Sequence, residues 1–390
     1  MICQLTRPTT QMRRFRCSGK PSARVTTAVV FHAPAAYNRP MKSANPLLLA
    51  RYSALVWLGL VIYASLHPFT GWRDSGISPL AFVDAAWPRY WTAFDLLANV
   101  AVYIPLGFFF ALALSSLPGR LTGTILAIVL AASVSFGLEC AQSLLPARVP
   151  SNLDLASNAL GGAVGAIIAQ AFGARFFARL ALWQQRLVAP QAHAELGLTL
   201  LGLWLLIPLS PEILLFGAGD LRELLGLPAA LPFQAESFVL LETIVVVCNM
   251  VAVGLFARQI SASTLLAYAI VPLYLLLGLA VRSLGAAILI GPEDAFSWVT
   301  PGVTQGLWVG SAVLLLTLWL PTAQRLMLAA LALMAATVMV NIAPANPYSL
   351  AALAVWQQGH FLNFNGLTRL VSIVWPFLAL AFMIRSSRQV

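Results

Sequence analysis

Residues 95–144 read DLLANVAVYIPLGFFFALALSSLPGRLTGTILAIVLAASVSFGLECAQSL. Two apolar runs, 95–116 and 121–144, are separated only by a short break at 117–120. At 1.5 Å per residue, each run wound as a helix spans the roughly 30 Å hydrocarbon core of a bilayer. The rest of the chain is of the same kind. Of its 390 residues, 60% are apolar and only 9% are charged, against roughly a quarter charged in an ordinary soluble domain. So few charges cannot cover the surface of a soluble protein of this size. In lipid, each segment must satisfy its own backbone polar groups, which leaves helices or closed barrels. Barrel strands would alternate apolar and polar residues, whereas these runs are continuous. The expected fold is all-α: a polytopic integral membrane helical bundle with about ten transmembrane helices. The expected spans are 47–66, 95–116, 121–144, 154–174, 196–216, 237–257, 262–283, 304–320, 324–343 and 368–384.

Three regions follow from this pattern. Residues 1–45 are polar and basic and lack sustained apolar periodicity, so they are read as a disordered tail. They contain no signal-peptide pattern. An alternative is that translation starts at Met41, which runs quickly into the first span. Residues 46–180 form a first membrane domain and 190–390 a second membrane half. Cys3 and Cys17 lie in the tail, and Cys140 and Cys248 lie in apolar runs. Their spacing suggests neither a disulfide framework nor a zinc site.

The net charge of +10 raises the question of nucleic acid, and its distribution answers it. With the N-terminus in the cytoplasm and ten alternating spans, six of the 23 Lys and Arg fall outside: Arg73, Arg89, Arg148, Arg222, Arg282 and Arg369. The other 17 fall on the cytoplasmic side. That asymmetry is the positive-inside signal. Both termini are therefore expected in the cytoplasm, and no nucleic-acid partner is expected.

Polar side chains at membrane depth are costly unless paired, so they are candidates for function. Spans two to four concentrate them. FDLLANVAVYIPLGF (94–108) carries Asp95 and Asn99, four apart and so on one helix face. LECAQSLLPARVPS (138–151) carries Glu139 and Gln142, three apart, followed by Arg148. NLDLASNALGGAVGA (152–166) carries Asp154 and Asn158, four apart, then Gly161, Gly162 and Gly165, which suit close helix packing. Alternation places all seven polar residues at one outer level. Three carboxylates face one arginine, and Arg148 is expected to pair with Asp154 or Glu139. The surplus of carboxylates suggests a bound proton or cation, or a cationic or hydroxyl-rich ligand. Mutual hydrogen bonding that merely fixes the helix packing is the alternative.

From about Ser65 to Arg175 the chain resembles the VanZ-like membrane domain. The likeness rests on Asp95 and Asn99 followed by IPLGF, then Glu139 and Gln142, then Arg148, Pro150 and Ser151, then Asp154, Asn158 and Gly161. The resemblance implies a bacterial cell-envelope setting. The family is associated with low-level resistance to teicoplanin, a lipoglycopeptide that binds cell-wall precursors at the outer membrane face. The expectation is a bacterial inner-membrane protein. Its outward-facing pocket of Asp95, Asn99, Glu139, Gln142, Arg148, Asp154 and Asn158 binds a lipid headgroup or a lipid-linked cell-wall glycan precursor. The alternative is an integral-membrane enzyme or proton-coupled carrier, with Glu139 as acid or base and Asp95 or Asp154 as its partner. No metal, nucleotide or other cofactor motif is present.

NVAVYIPLGFF (99–109) resembles NMVAVGLFA (249–257), with Glu242 ahead of Asn249 as Asp95 is ahead of Asn99. This suggests a parallel repeat. The connection 67–94 carries Trp72, Trp87, Tyr90 and Trp91, suited to a membrane interface. The connection 344–367, with Trp356, His360 and Phe361, could hold an interfacial helix. His67 is expected at the end of span one.

Overall fold

A computed structural model describes residues 46–388, except 68, 75, 147, 192, 211–212, 223, 228–231 and 345–361. The expectations for the tail 1–45, and for His360 and the interfacial helix in 344–367, therefore fall outside the described residues wholly or in large part. The described residues belong to one compact unit, Lys42–Val390. They are all-helical, with a single isolated β-bridge between Val188 and Ser261. The helices are α1 (Pro46–Leu66), α2 (Ala93–Ala113), α3 (Arg120–Gln142), α4 (Asn152–Leu187) and α5 (Ala194–Trp204). Then come α6 (Ala235–Ile260), α7 (Thr264–Leu289), α8 (Pro301–Thr317), α9 (Thr322–Ile342) and α10 (Leu362–Ser387).

Eight of these, all but α5 and α8, are long and apolar enough to cross a membrane. Helix α8 has 17 residues, about 25 Å of helix. Contacts between helix ends show that the chain alternates between two ends of the bundle. At the upper end, Gln142 Nε2 donates to the Ser65 carbonyl and Arg148 Nη2 to the His67 carbonyl, both at 2.9 Å. These bonds join the end of α1 to the connection between α3 and α4. At the lower end, the Ala262 N–H donates to Leu187 O at 2.8 Å, and Arg325 Nη2 to Gln259 Oε1 at 2.7 Å. These bring together the end of α4, the end of α6 and the starts of α7 and α9. Gly197 of α5 meets Ile260 and Phe382 at this same end.

The crossing expected at 196–216 departs from a plain helix. Its helix stops at Trp204, because a proline ring clashes with the carbonyl four residues earlier and lacks an N–H. Pro208 stands four residues after Trp204, and Pro211 follows three later. The chain continues upward without regular structure, and its backbone groups are met by other helices. Arg282 of α7, buried, donates to the carbonyls of Ser210 and Ile213. Asn341 of α9 donates to Gly219 O at 2.6 Å and accepts from the Leu221 N–H at 2.9 Å. The Gly219 N–H donates to Ser372 O of α10 at 2.8 Å.

Helices α2 and α4 pack most extensively, backbone against backbone. A Cβ on Gly161 or Gly165 would collide with the carbonyls of Val100 and Ile104. The arrangement recurs in the second half. Helix α8 turns Gly302, Gly306 and Gly310 toward α6, and α6–α8 is the next most extensive pair. Each pair starts at the upper end and runs the same way. Helix α1 touches α2 on one side and α5 and α10 on the other, joining the two halves.

Candidate functional site

Three helices bring their polar faces together at the upper end. Helix α2 is capped by Thr92, whose hydroxyl accepts from the Asp95 N–H at 3.1 Å and donates to Asp95 Oδ2 at 2.6 Å. One turn on, Asn99 Nδ2 donates to Asp154 Oδ1 of α4 at 2.8 Å. Helix α4 is capped by Ser151, whose Oγ accepts from the N–H groups of Leu153 and Asp154 at 3.2 and 3.3 Å. The Ser151 N–H in turn donates to Glu139 Oε2 of α3 at 2.8 Å. A chain of contacts thus runs from Glu139 through Ser151 and Asp154 to Asn99. Glu139 is 4% exposed, while Asp95, Asn99 and Asp154 are half-buried. The carboxylates of Asp95 and Glu139 both lie within electrostatic reach of Asp154.

A second layer lies one turn deeper. Asn158 Nδ2 donates to Ser135 Oγ at 3.0 Å, with both residues buried. Tyr103 is buried with them, and Asn158 Oδ1 has no hydrogen-bond partner among the described residues.

The VanZ/LLP1 family model matches residues 36–173. This stretch is similar to VanZ-like domains. The match covers a little over a third of the chain and ends within α4, so it contains every residue of the cluster just described. No curated protein and no solved structure matches the chain.

Within this stretch, five of the seven expected site residues lie toward the upper end of the three helices: Asp95 and Asn99 on α2, Glu139 on α3, and Asp154 and Asn158 on α4. Gln142 and Arg148 turn instead toward the end of α1. The expected ion pair of Arg148 with Asp154 or Glu139 is not formed. The ion pair found among the described residues joins Arg222 to Asp220. The physical reason is the tight connection after α3. It directs Arg148 to the His67 carbonyl, while the backbone of Ser151 meets Glu139. Burial is what lowers the pKa of the half-buried Arg148 guanidinium.

Sequence reasoning missed Thr92, Tyr103, Ser135 and the capping role of Ser151. A signal existed for two of them. Tyr103 stands four after Asn99, and Ser135 four before Glu139, so each extends a face already marked. In the second half, buried Glu242 accepts from the hydroxyl of Thr300, the cap of α8, with Arg282 within electrostatic reach. Asn249 is fully buried and donates to Val245 O of its own helix at 3.0 Å. Among the described residues, no group of three or more His, Cys, Asp or Glu is placed to hold a metal ion.

Proposed function

We propose that the VanZ-like domain presents an outward-facing pocket that binds a lipid headgroup or a lipid-linked cell-wall glycan precursor. The setting is the bacterial inner membrane, with both termini cytoplasmic and a link to glycopeptide (teicoplanin) resistance. One observation carries this reading: Asp95, Glu139 and Asp154 converge at one end of α2–α4, and no ion pair joins them to a cation among the described residues. Such a site favours a ligand that brings donors, such as sugar hydroxyls or an ammonium group, because carboxylates accept and do not donate when ionised. The unpartnered Asn158 oxygen beneath adds a further acceptor. A groove of about 510 Å³ runs between α3 and α4, lined by Val129, Phe136, Asn152 and Leu155 among others. Its apolar walls and its polar end at Asn152 suit a lipid acyl chain.

Glu139→Gln tests the reading. Glutamine keeps an oxygen for the Ser151 N–H and removes the charge, so the melting temperature in detergent should change by no more than about 2 °C. Precursor binding should fall, and cells depending on the protein should become more sensitive to teicoplanin. A lower melting temperature with unchanged sensitivity would assign these groups to helix packing alone. The proximity of Glu139 to Asp154 also supports the acid–base reading. Loss of turnover with binding retained in Glu139→Gln would favour it.

A further inference from the structure

Helix α4 has 36 residues, about 54 Å at 1.5 Å per residue. Its apolar, membrane-crossing part ends at Gly173. Residues 174–187 therefore run on past the hydrocarbon and through the lower headgroup layer, which is about 5–8 Å deep. At about 100° per residue, Phe172, Phe176 and Trp183 fall within about 40° of one another around the helix. Arg175, Arg179 and Arg186 fall in a second strip, also about 40° wide, directly beside the aromatic one. All six side chains are exposed, while Gly173 and Gln184, on the other side of the helix, are buried. No hydrogen bond or ion pair holds the three arginine side chains among the described residues. No Asp or Glu stands between Asp154 and Glu195, and Glu195 is itself buried at the start of α5. The exposed strip is thus positive, with no acidic residue of its own helix stretch to offset it.

We propose that this lower stretch of α4, with Arg175, Arg179 and Arg186 beside Phe172, Phe176 and Trp183, binds the headgroups of anionic phospholipids in the leaflet it passes through. The aromatic strip supplies the apolar body that settles at the boundary between hydrocarbon and headgroups. The arginine strip lies alongside it at headgroup level, where long side chains keep their stems on apolar surface and their charge in the polar layer. Guanidinium groups meet phosphate oxygens in paired hydrogen bonds, and anionic headgroups add net attraction that zwitterionic ones lack. The surface lies at the opposite end of the bundle from Asp95, Glu139 and Asp154. It does not rest on their taking a ligand, and it holds whichever side of the membrane the lower end faces.

The test uses the purified full chain in a detergent with an uncharged headgroup, with phosphatidylglycerol and phosphatidylcholine of matched acyl chains as probes in equal amounts. Lipid retained by the protein is counted by native mass spectrometry. The unaltered protein should prefer phosphatidylglycerol by at least about tenfold, and the preference should shrink as salt rises from about 0.05 M to 0.5 M. The triple variant Arg175→Gln, Arg179→Gln, Arg186→Gln should bring the preference to within about twofold, since each arginine near an anionic surface contributes about fivefold. Its exposed positions should leave the melting temperature within error. The double variant Arg73→Gln, Arg89→Gln, altered at exposed positions of the upper end, should keep the preference. Equal retention of the two lipids by the unaltered protein would overturn the proposal, whatever the behaviour of the variants. So would an unchanged preference in the folded triple variant. An equal loss in the upper-end double variant would also overturn it, because net charge alone would then set the preference.

Discussion

At the scale of single residues, the strongest demand falls on Arg282. It is 7% exposed, yet it donates to two carbonyls that no helix satisfies. A buried acceptor left without its donor costs about 1–3 kcal/mol. Arg282→Ala should therefore lower the thermal stability of the purified protein by several degrees, and Arg89→Ala, at an exposed position, should leave it within error. Equal effects of the two changes would show that the irregular segment does not depend on the clamp. The residue scale is also where the sequence was most legible in the first half and least in the second. Spacings of four set Asp95 with Asn99 on α2 and Asp154 with Asn158 on α4, while the spacing of three did not keep Gln142 with Glu139. They could not say that Arg148 would turn to a backbone carbonyl of α1, since that contact spans 81 positions. Arg282 looked like an outer-loop charge because a residue count cannot separate a cation in a loop from one buried against a broken helix.

At the scale of elements, the pairing of α2 with α4 decides whether the acidic cluster exists. Gly165 abuts the backbone of α2 at Ile104 and Phe108, so an added methyl must push the helices apart. Gly165→Ala should destabilise by about 1–3 kcal/mol, the usual cost of overpacking. It should also weaken ligand binding, since the Asn99–Asp154 bond crosses that interface. Gly137→Ala on α3 meets nothing within 4 Å and should be neutral or stabilising by up to about 1 kcal/mol. Thermal unfolding of the two variants side by side distinguishes close packing from general glycine effects. Among the described residues, nine of the ten expected spans coincide with helices, though α4 runs on to Leu187, well past the expected 174. The exception, α5, carried its warning in Pro208 and Pro211, but prolines alone are an ambiguous signal. Pro105, Pro272 and Pro376 all sit inside continuous helices. What separates the cases is whether neighbouring helices supply donors to a break, and that information is tertiary.

At the scale of the whole molecule, the described helices alternate between two ends, and eight of them are long and apolar enough to cross a membrane. The two halves also share a plan. In each, a glycine-lined helix lies parallel to a partner, and its capped start meets a buried carboxylate from another helix: Ser151 with Glu139, and Thr300 with Glu242. The short likeness between 99–109 and 249–257 falls on α2 and α6, which hold corresponding places in that plan. Phosphatase and fluorescent-protein fusions check the orientation. Fusions after Arg186 and Arg325 should report the cytoplasm, and those after Pro150 and Asp294 the outside. An outside signal after Arg186 would invert the proposed pocket.

The broken fifth crossing bears on how the chain is made. Helix α5 contributes 11 residues, about 16 Å and half a bilayer. The segment completing it owes its backbone satisfaction to Arg282, synthesised 72 residues after Ser210, and to Asn341, 122 residues after Gly219. As the nascent chain leaves the ribosome, the carbonyls of Ser210, Ile213 and Gly219 have not yet met the side-chain donors they take in the fold, and bare lipid would exclude them. The segment must wait in water, or inside the translocation channel, until α7 and α9 arrive. The expected consequence is that the second half enters the membrane as a cooperative group late in synthesis, so that in a chain stalled after α6 the segment following Trp204 should remain accessible to water-soluble labels.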